Sequence, residues 1–187
     1  ADKEWNEKVG AIASAFNGII YIKNEENLGS ARTRNVAIQA ATGDYVTFLD
    51  DDDIYLPKKI EHQLKDMVET DADFGITDLL LYNEKGNLVD KRIRDYIKDF
   101  SPEALMKYHL LYHMTGTDTM MFKREYLLKI GGFEPINIGD EFYLMQKAIE
   151  AKGKFCYSNV CDIKAFVHEK TAGLSSGQVK VDGEKVL

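Results

Sequence analysis

The apolar run Tyr45-Val46-Thr47-Phe48-Leu49 passes directly into four consecutive carboxylates, Asp50-Asp51-Asp52-Asp53. A short apolar run bounded by turn residues reads as a buried strand, so the chain delivers dense negative charge to the end of a core element. Two carboxylates about 4 Å apart repel by roughly 4 kcal/mol at the effective dielectric near a protein surface. Four of them call for protons, cations or water. A hard divalent ion is the natural remedy, because magnesium and manganese take oxygen ligands, and magnesium shares one or two carboxylates with substrate phosphates. Ligands of open α/β sheets collect outside the carboxyl ends of strands, where these residues would lie. The competing reading is a solvated acidic turn in which Asp53 caps a helix beginning near Pro57.

With 187 residues, 44% hydrophobic and 29% charged, the chain suits one α/β domain. No apolar stretch approaches the roughly 20 residues that span a bilayer, and Ala1-Asp2-Lys3-Glu4-Trp5 carries no signal-peptide pattern, so the chain reads as soluble. A net charge of −7 argues against broad nucleic-acid binding. It leaves nucleotides open, since a metal can bring a diphosphate to an acidic site. Cys156 and Cys161 are the only cysteines and read as reduced core thiols.

Periodicity predicts a helix over Asp2 to Phe16, with Trp5, Val9, Ile12, Ala13 and Phe16 on its apolar face, then a strand from Ile19 to Ile22. Asn24 to Gly29 is a loop, Ala31 to Ala41 a helix, and Tyr45 to Leu49 a strand. Pro57 opens a helix with Ile60, Leu64, Met67 and Val68 on one face, and a strand from Phe74 to Tyr82 follows. Asn83-Glu84-Lys85-Gly86-Asn87 reads as a turn between antiparallel strands. Beyond it come a helix from Ser101 through Leu111, a strand from Asp118 to Lys123, a Gly131-Gly132-Phe133 loop, a helix from Asp140 to Ala151, and a last strand from Lys154 to Val160. The domain is expected to end near residue 170, with Thr171 to Leu187 a polar, Gly-rich tail that packs poorly.

Three motifs carry a resemblance. Asn24-Glu25-Glu26-Asn27-Leu28-Gly29-Ser30-Ala31-Arg32-Thr33-Arg34-Asn35, then Ala41-Thr42-Gly43-Asp44-Tyr45, then Phe48 to Tyr55, together resemble family 2 glycosyltransferases of the GT-A fold. Thr33 stands where that family commonly has Ala. The resemblance implies a mixed, mostly parallel sheet flanked by helices and a sugar transfer that inverts the anomeric centre. Asp50 and Asp52 match the D-x-D that holds Mn2+ or Mg2+ on the donor diphosphate, Asp53 matches the next acidic position, and His168 matches a further metal ligand. Asn27, Gly29, Arg34 and Asp51 fall on the nucleotide-sugar side. Gly131-Gly132-Phe133-Glu134 is similar to an acceptor-side loop. Asp140-Glu141 resembles the E-D pair that supplies the catalytic base, with the residue types exchanged, so Glu141 is the base by position and Asp140 a competitor. Each has a structural reading as well: Asp140 as a helix cap, Glu141 as a first-turn acid favoured by the helix dipole, and Arg34 as a salt bridge to the acidic cluster. Nothing around His62, His109 or His113 suggests a site.

The implied partners are a nucleoside-diphosphate sugar, in the first instance a UDP-sugar, and a carbohydrate or glycolipid hydroxyl in polysaccharide or glycoconjugate synthesis. The implied location is cytoplasmic or peripheral at the inner membrane face. The V-S-V-I-I-P-T-Y-N and V-D-D-G-S strands usual at the start of the family are not found, so the sheet is expected to be incomplete at its N-terminal side, with exposed edges that favour dimerisation. Two other classes are compatible with parts of the pattern. A non-catalytic GT-A-like binding or scaffold domain would tolerate the exchanged acids, and a haloacid-dehalogenase-type phosphatase also places D-x-D after a strand, although Ile54 breaks its pattern.

Overall fold

The computed structural model describes residues 3–136 and 139–167; His168 and the tail expected from Thr171 lie outside them. In chain order the elements are α1 (Lys3–Ser14), α2 (Ser30–Ala40), β1 (Tyr45–Thr47), β2 (Ile54–Tyr55), α3 (Lys59–Glu69), β3 (Phe74–Thr77), β4 (Leu79–Asn83) and β5 (Leu88–Arg92). They continue with α4 (Pro102–Tyr112), a 3-10 turn (Thr117–Thr119), β6 (Met120–Lys123), α5 (Arg124–Lys129), α6 (Asp140–Glu150), β7 (Phe155–Ser158) and β8 (Ile163–Val167).

The strands form two four-stranded sheets, ordered β1-β6-β3-β7 and β2-β8-β4-β5. Side chains alternate across the first sheet as the pleat requires. Phe74, Ile76, Phe122 and Phe155 enter the main core with Ile38, Leu127, Leu144, Met145 and Ile149 from α2, α5 and α6. Met121 and Cys156 face the other way and meet Met67 of α3. Position 75 lies on that face and is glycine because a Cβ there would come within 2.7 Å of the Cys156 carbonyl and 2.8 Å of the Met67 sulfur.

The mixed α/β class with flanking helices is the observed one, but parallel pairing does not dominate. Only β3/β7 and β4/β8 run parallel, and the other pairings among the described residues are antiparallel. Part of the reason is local: the Asn83 side chain accepts from Lys85 and Asn87 N–H, Gly86 takes φ 77, and the chain reverses into β5 as the turn residues predict. The strand expected from Phe74 to Tyr82 is in fact two, split at Asp78 and shared between the sheets. Residues Ile19 to Ile22 are not a strand; they have no regular secondary structure and are exposed, with no ladder partner among the described residues. The α1 helix forms, yet its expected apolar face at Trp5, Ile12 and Phe16 is exposed. On α3 the buried positions are Lys59, Gln63 and Met67, whereas Ile60 and Val68 face solvent. Two strands, β2 and β8, and the helix α5 lie outside the elements that periodicity predicts, and β8 rather than β7 is the last described strand. Cys156 is buried and Cys161 only partly so, both as free thiols.

Asp78 ends β3 because its carboxylate has partners that a ladder position would deny it. It accepts from the Arg94 backbone N–H at 2.9 Å and from the Tyr157 hydroxyl at 2.9 Å. Arg94 is itself buried and donates to the carbonyls of Met114, Thr77 and Arg92, fastening the segment before α4 to the junction of the sheets. Removing a buried, fully engaged charge leaves its partners unsatisfied at about 3 kcal/mol or more. Arg94→Met is therefore expected to lower the melting temperature by roughly 6–12 °C in a circular-dichroism melt.

Candidate active site

The site forms where β1 ends. In the β1/β6 ladder Tyr45 faces Lys123, Val46 faces Phe122 and Thr47 faces Met121. Each pair of numbers sums to 168, and the same register carried three residues past Thr47 sets Asp50 opposite Asp118. The contact is made: the Asp50 backbone N–H donates to the Asp118 carboxylate at 2.7 Å. A turn closed by the Asp53 N–H on the Asp50 carbonyl, 3.2 Å, brings Asp53 back to the same point, and Phe166 N–H of β8 fixes its carboxylate at 2.9 Å. Asp50, Asp53 and Asp118 thus place carboxylate oxygens within 4.8 Å of one another. Asp51 and Asp52 are exposed beside this triad. Asp53 does not cap α3, whose N-cap is Lys58 without a side-chain bond.

The triad is short of positive charge. Burial and the facing Asp53 carboxyl push Asp118 up to about 7. Burial also raises Asp50, with Asp118 adding to the rise and Arg34 opposing it. Lys59, fully buried behind β1, donates to the Thr47 hydroxyl at 2.9 Å and lies 4.1 Å from the centre of the Tyr55 ring, and burial pushes its ammonium down to about 7. Three crowded hard-oxygen donors with this deficit suit a divalent cation of the magnesium or manganese kind. Asp50, Asp53 and Asp118 are the residues placed to hold it.

One guanidinium joins this cluster to the start of α6. Arg34 reaches Asp50 at 2.6 Å through one nitrogen and Asp140 at 2.8 Å through the other. Burial alone would lower it, but the two carboxylates outweigh burial and raise it. Ser30, one turn earlier on α2, lies 3.3 Å from the same Asp140 oxygen. The helix begins correctly for this because Gly29 takes φ 77 and its N–H binds the Asn27 side chain at 3.0 Å. Asn27 and Gly29 thereby shape the approach to α2. Asn35 clamps the loop before α6, accepting from Phe133 N–H at 2.9 Å and donating to the Phe133 carbonyl at 2.8 Å. Gly132, at φ 62, has no room for a Cβ, which would meet the Asn35 oxygen at 2.4 Å. Phe133 lies under the Arg34 guanidinium, 5.4 Å from its ring centre.

Asp140 and Glu141 open α6 after Gly139, and neither is its cap. Asp140 is buried toward Arg34, and burial raises its carboxyl against the pull of Arg34. Burial would raise Glu141 too, but hydrogen bonding from His113, its own backbone and Asp140 outweighs burial and holds it below the usual carboxylate range. Asp118, Asn35, Lys59 and His113 join the site in the fold without being among its sequence candidates. Asn35 closes the first motif; Asp118, which only the register of β6 on β1 brings to the site, and Lys59 and His113 carry no local signal.

The comparisons agree with this architecture. The family model described as "Glycosyl transferase family 2" matches residues 2–131. An uncharacterized glycosyltransferase of Methanocaldococcus jannaschii is 38% identical over 118 residues, covering 60% of this chain and 38% of that protein. TuaG of Bacillus subtilis, named for teichuronic acid biosynthesis, is 37% identical over 108 residues, covering 57% of this chain and 40% of TuaG. The chain therefore spans about two fifths of the length of these relatives. S. aureus TarS 1-349 superposes with a TM-score of 0.66 at 18% identity, over 89% of this chain and 49% of that one, and TarS with UDP-GlcNAc gives 0.63 at 15% over 91% and 48%. These two show a shared fold.

Carboxylates must be deprotonated to bind a cation. Manganese chloride is therefore expected to raise the melting temperature more at about pH 8 than at about pH 5, since Asp118 titrates between. Without the ion, Asp118 holds its proton more tightly folded than unfolded, so its contribution to stability falls as pH rises from about 4 to 7. Asp118→Asn should abolish both effects in differential scanning fluorimetry.

Proposed function

Because the chain belongs to glycosyl transferase family 2, we propose that it carries the site of a metal-dependent inverting transfer of a sugar from a nucleoside-diphosphate donor, in the first instance a UDP-sugar, to a hydroxyl acceptor. The observation that carries this reading is the Arg34 fork between Asp50 and Asp140, which sets a cation-binding cluster and a second acidic pair on either side of one side chain. Bound at Asp50, Asp53 and Asp118, with Asp52 and His168 as further candidates, Mn2+ or Mg2+ supplies Lewis-acid stabilisation of the departing diphosphate. Arg34, with Asn27 and Gly29 at the mouth of α2, orients the donor phosphates against the helix N-terminus. Asp51 lies on the same side.

Glu141 is the base in this reading. Its carboxylate removes the acceptor hydroxyl proton as the oxygen attacks the anomeric carbon, the new C–O bond forms, and the C–O bond to phosphate breaks with its electron pair on the diphosphate. Asp140 is committed to Arg34 and Ser30, whereas Glu141 is held anionic, as a base must be. UDP complexes of TarS and the teichuronic acid role in the name of TuaG favour a UDP-sugar and a cell-envelope polysaccharide or glycolipid acceptor. No described helix is long and apolar enough to cross a membrane, so attachment at the inner membrane face would be peripheral for this segment. Self-association through β5, the exposed edge of the second sheet, belongs to the same reading.

Glu141→Gln is expected to reduce nucleotide release from a UDP-sugar by about 100-fold or more with the donor KM little changed. Asp140→Asn should instead raise donor KM and lower the melting temperature, through loss of the Arg34 pair. Equal turnover by Glu141→Gln and the unaltered chain in a coupled UDP-release assay would overturn the assignment.

A further inference from the structure

We propose that His113 is a positioning residue that orients the Glu141 carboxylate from the end of α4. The inference rests on the assignment of Glu141 as base. His113 caps α4 at φ 45 and ψ 65, a left-handed conformation uncommon outside glycine. Helices commonly end in such a left-handed residue, as α3 and α6 do at Asp71 and Lys152. Here it delivers the imidazole to α6: Nε2 lies 3.5 Å from Glu141 Oε1, and the ring stands edge-on to Phe142 at 5.1 Å.

One turn earlier, His109 fixes the same segment from within. It is fully buried, stacks on the Phe142 ring at 4.0 Å, and places Nε2 3.0 Å from the Phe142 carbonyl. Burial pushes it down to about 4, so it is neutral at physiological pH and donates from Nε2, with no partner for Nδ1 among the described residues. Two histidines four residues apart on α4 therefore bracket Phe142, and the acid just before it is presented to His113.

Among the described residues, the groups facing Glu141 come from three helices. His113 and His109 approach from α4, Asp140 is its neighbour on α6, and Arg34 of α2 acts on it through Asp140. Of these, His113 is the group on the side away from Arg34, with Nε2 3.5 Å from Glu141 Oε1. A hydrogen bond or ion pair there favours the ionised carboxylate and restricts its rotamers, so the oxygen that takes the acceptor proton keeps one direction.

The test compares the whole chain with His113→Ala and His113→Gln by carbon-detected NMR of glutamate carboxylates, with the Glu141 signal assigned by its loss in Glu141→Gln. His113→Ala is expected to move the Glu141 midpoint upward by about half a pH unit or more. His113→Gln, which keeps an amide donor, is expected to recover part of that shift and to melt with the unaltered chain. In UDP-sugar turnover, His113→Ala is expected to lower kcat roughly tenfold at unchanged donor KM. An unmoved Glu141 midpoint overturns the proposal, as does an unchanged kcat when Glu141→Gln is inactive. Full activity of Glu141→Gln overturns the base assignment instead, and the midpoint still decides the contact. If His113→Ala fails to fold, the Gln variant is read in the same way, with a smaller expected shift.

Discussion

A single guanidinium placed between two acidic groups is what the rest of the site depends on. Arg34 contacts Asp50 at 2.6 Å and Asp140 at 2.8 Å, and no compact cation could serve both with the same geometry, because the planar fork offers donors in two fixed directions. Its reach is set one turn earlier. Gly29 starts α2, Ser30 and Arg34 are four residues apart on one helix face, and both arrive at the same Asp140 oxygen. Phe133 beneath the guanidinium is in turn fastened by Asn35, the residue after Arg34. The end of β1, the start of α2, the loop before α6 and α6 itself are thereby tied through adjacent side chains of one helix.

The charge balance around β1 explains why this fold tolerates so many carboxylates. Arg34 approaches the triad from the side of α2, and Lys59 lies behind β1, held by the Thr47 hydroxyl and the Tyr55 ring. Lys59 is a weak compensator, because burial drives its ammonium down to about 7 against the pull of Asp118. Arg34 is divided between two acids. What remains is a net anionic cup whose donors are all hard oxygens, and a dication meets that deficit better than a further side chain could.

The acidic end of a strand, the glycine turn into α2 and the Asp140–Glu141 start of α6 are legible in the chain, because each is encoded within a few residues; the strand itself is shorter and less buried than expected, since β1 stops at Thr47 on the sheet edge, is half-buried, and leaves Leu49 exposed. What was not legible depends on which strands lie side by side. Asp118 is an ordinary strand-edge acid until the antiparallel register of β6 on β1 puts it opposite Asp50. Phe74 to Tyr82 reads as one apolar run, and only the partners of Asp78, supplied from Arg94 and Tyr157, break it into strands of two sheets. Lys59 carries no sequence signal, since lysines are seldom buried; in the fold its ammonium is met by the Tyr55 ring and the Thr47 hydroxyl. The Ile19 to Ile22 run shows the converse: β-branched residues favour a strand, but without a ladder partner among the described residues the segment forms none and stays exposed.

The exchanged order of the two acids on α6 has a physical consequence. Successive helix positions point about 100° apart, so the two neighbouring side chains head toward different elements. Position 140 faces α2, where the short Asp fits against Ser30 and Arg34 and is buried. Position 141 faces the end of α4, and there the extra methylene of Glu carries the carboxylate outward to His113. Both gain from the positive end of the helix dipole. With the side chains in the opposite order, the longer one would have to fold into the tight space beside Arg34 and the shorter one would fall short of His113. The order found here gives the structural anchor the short arm, and gives the group proposed to meet the acceptor hydroxyl the long one.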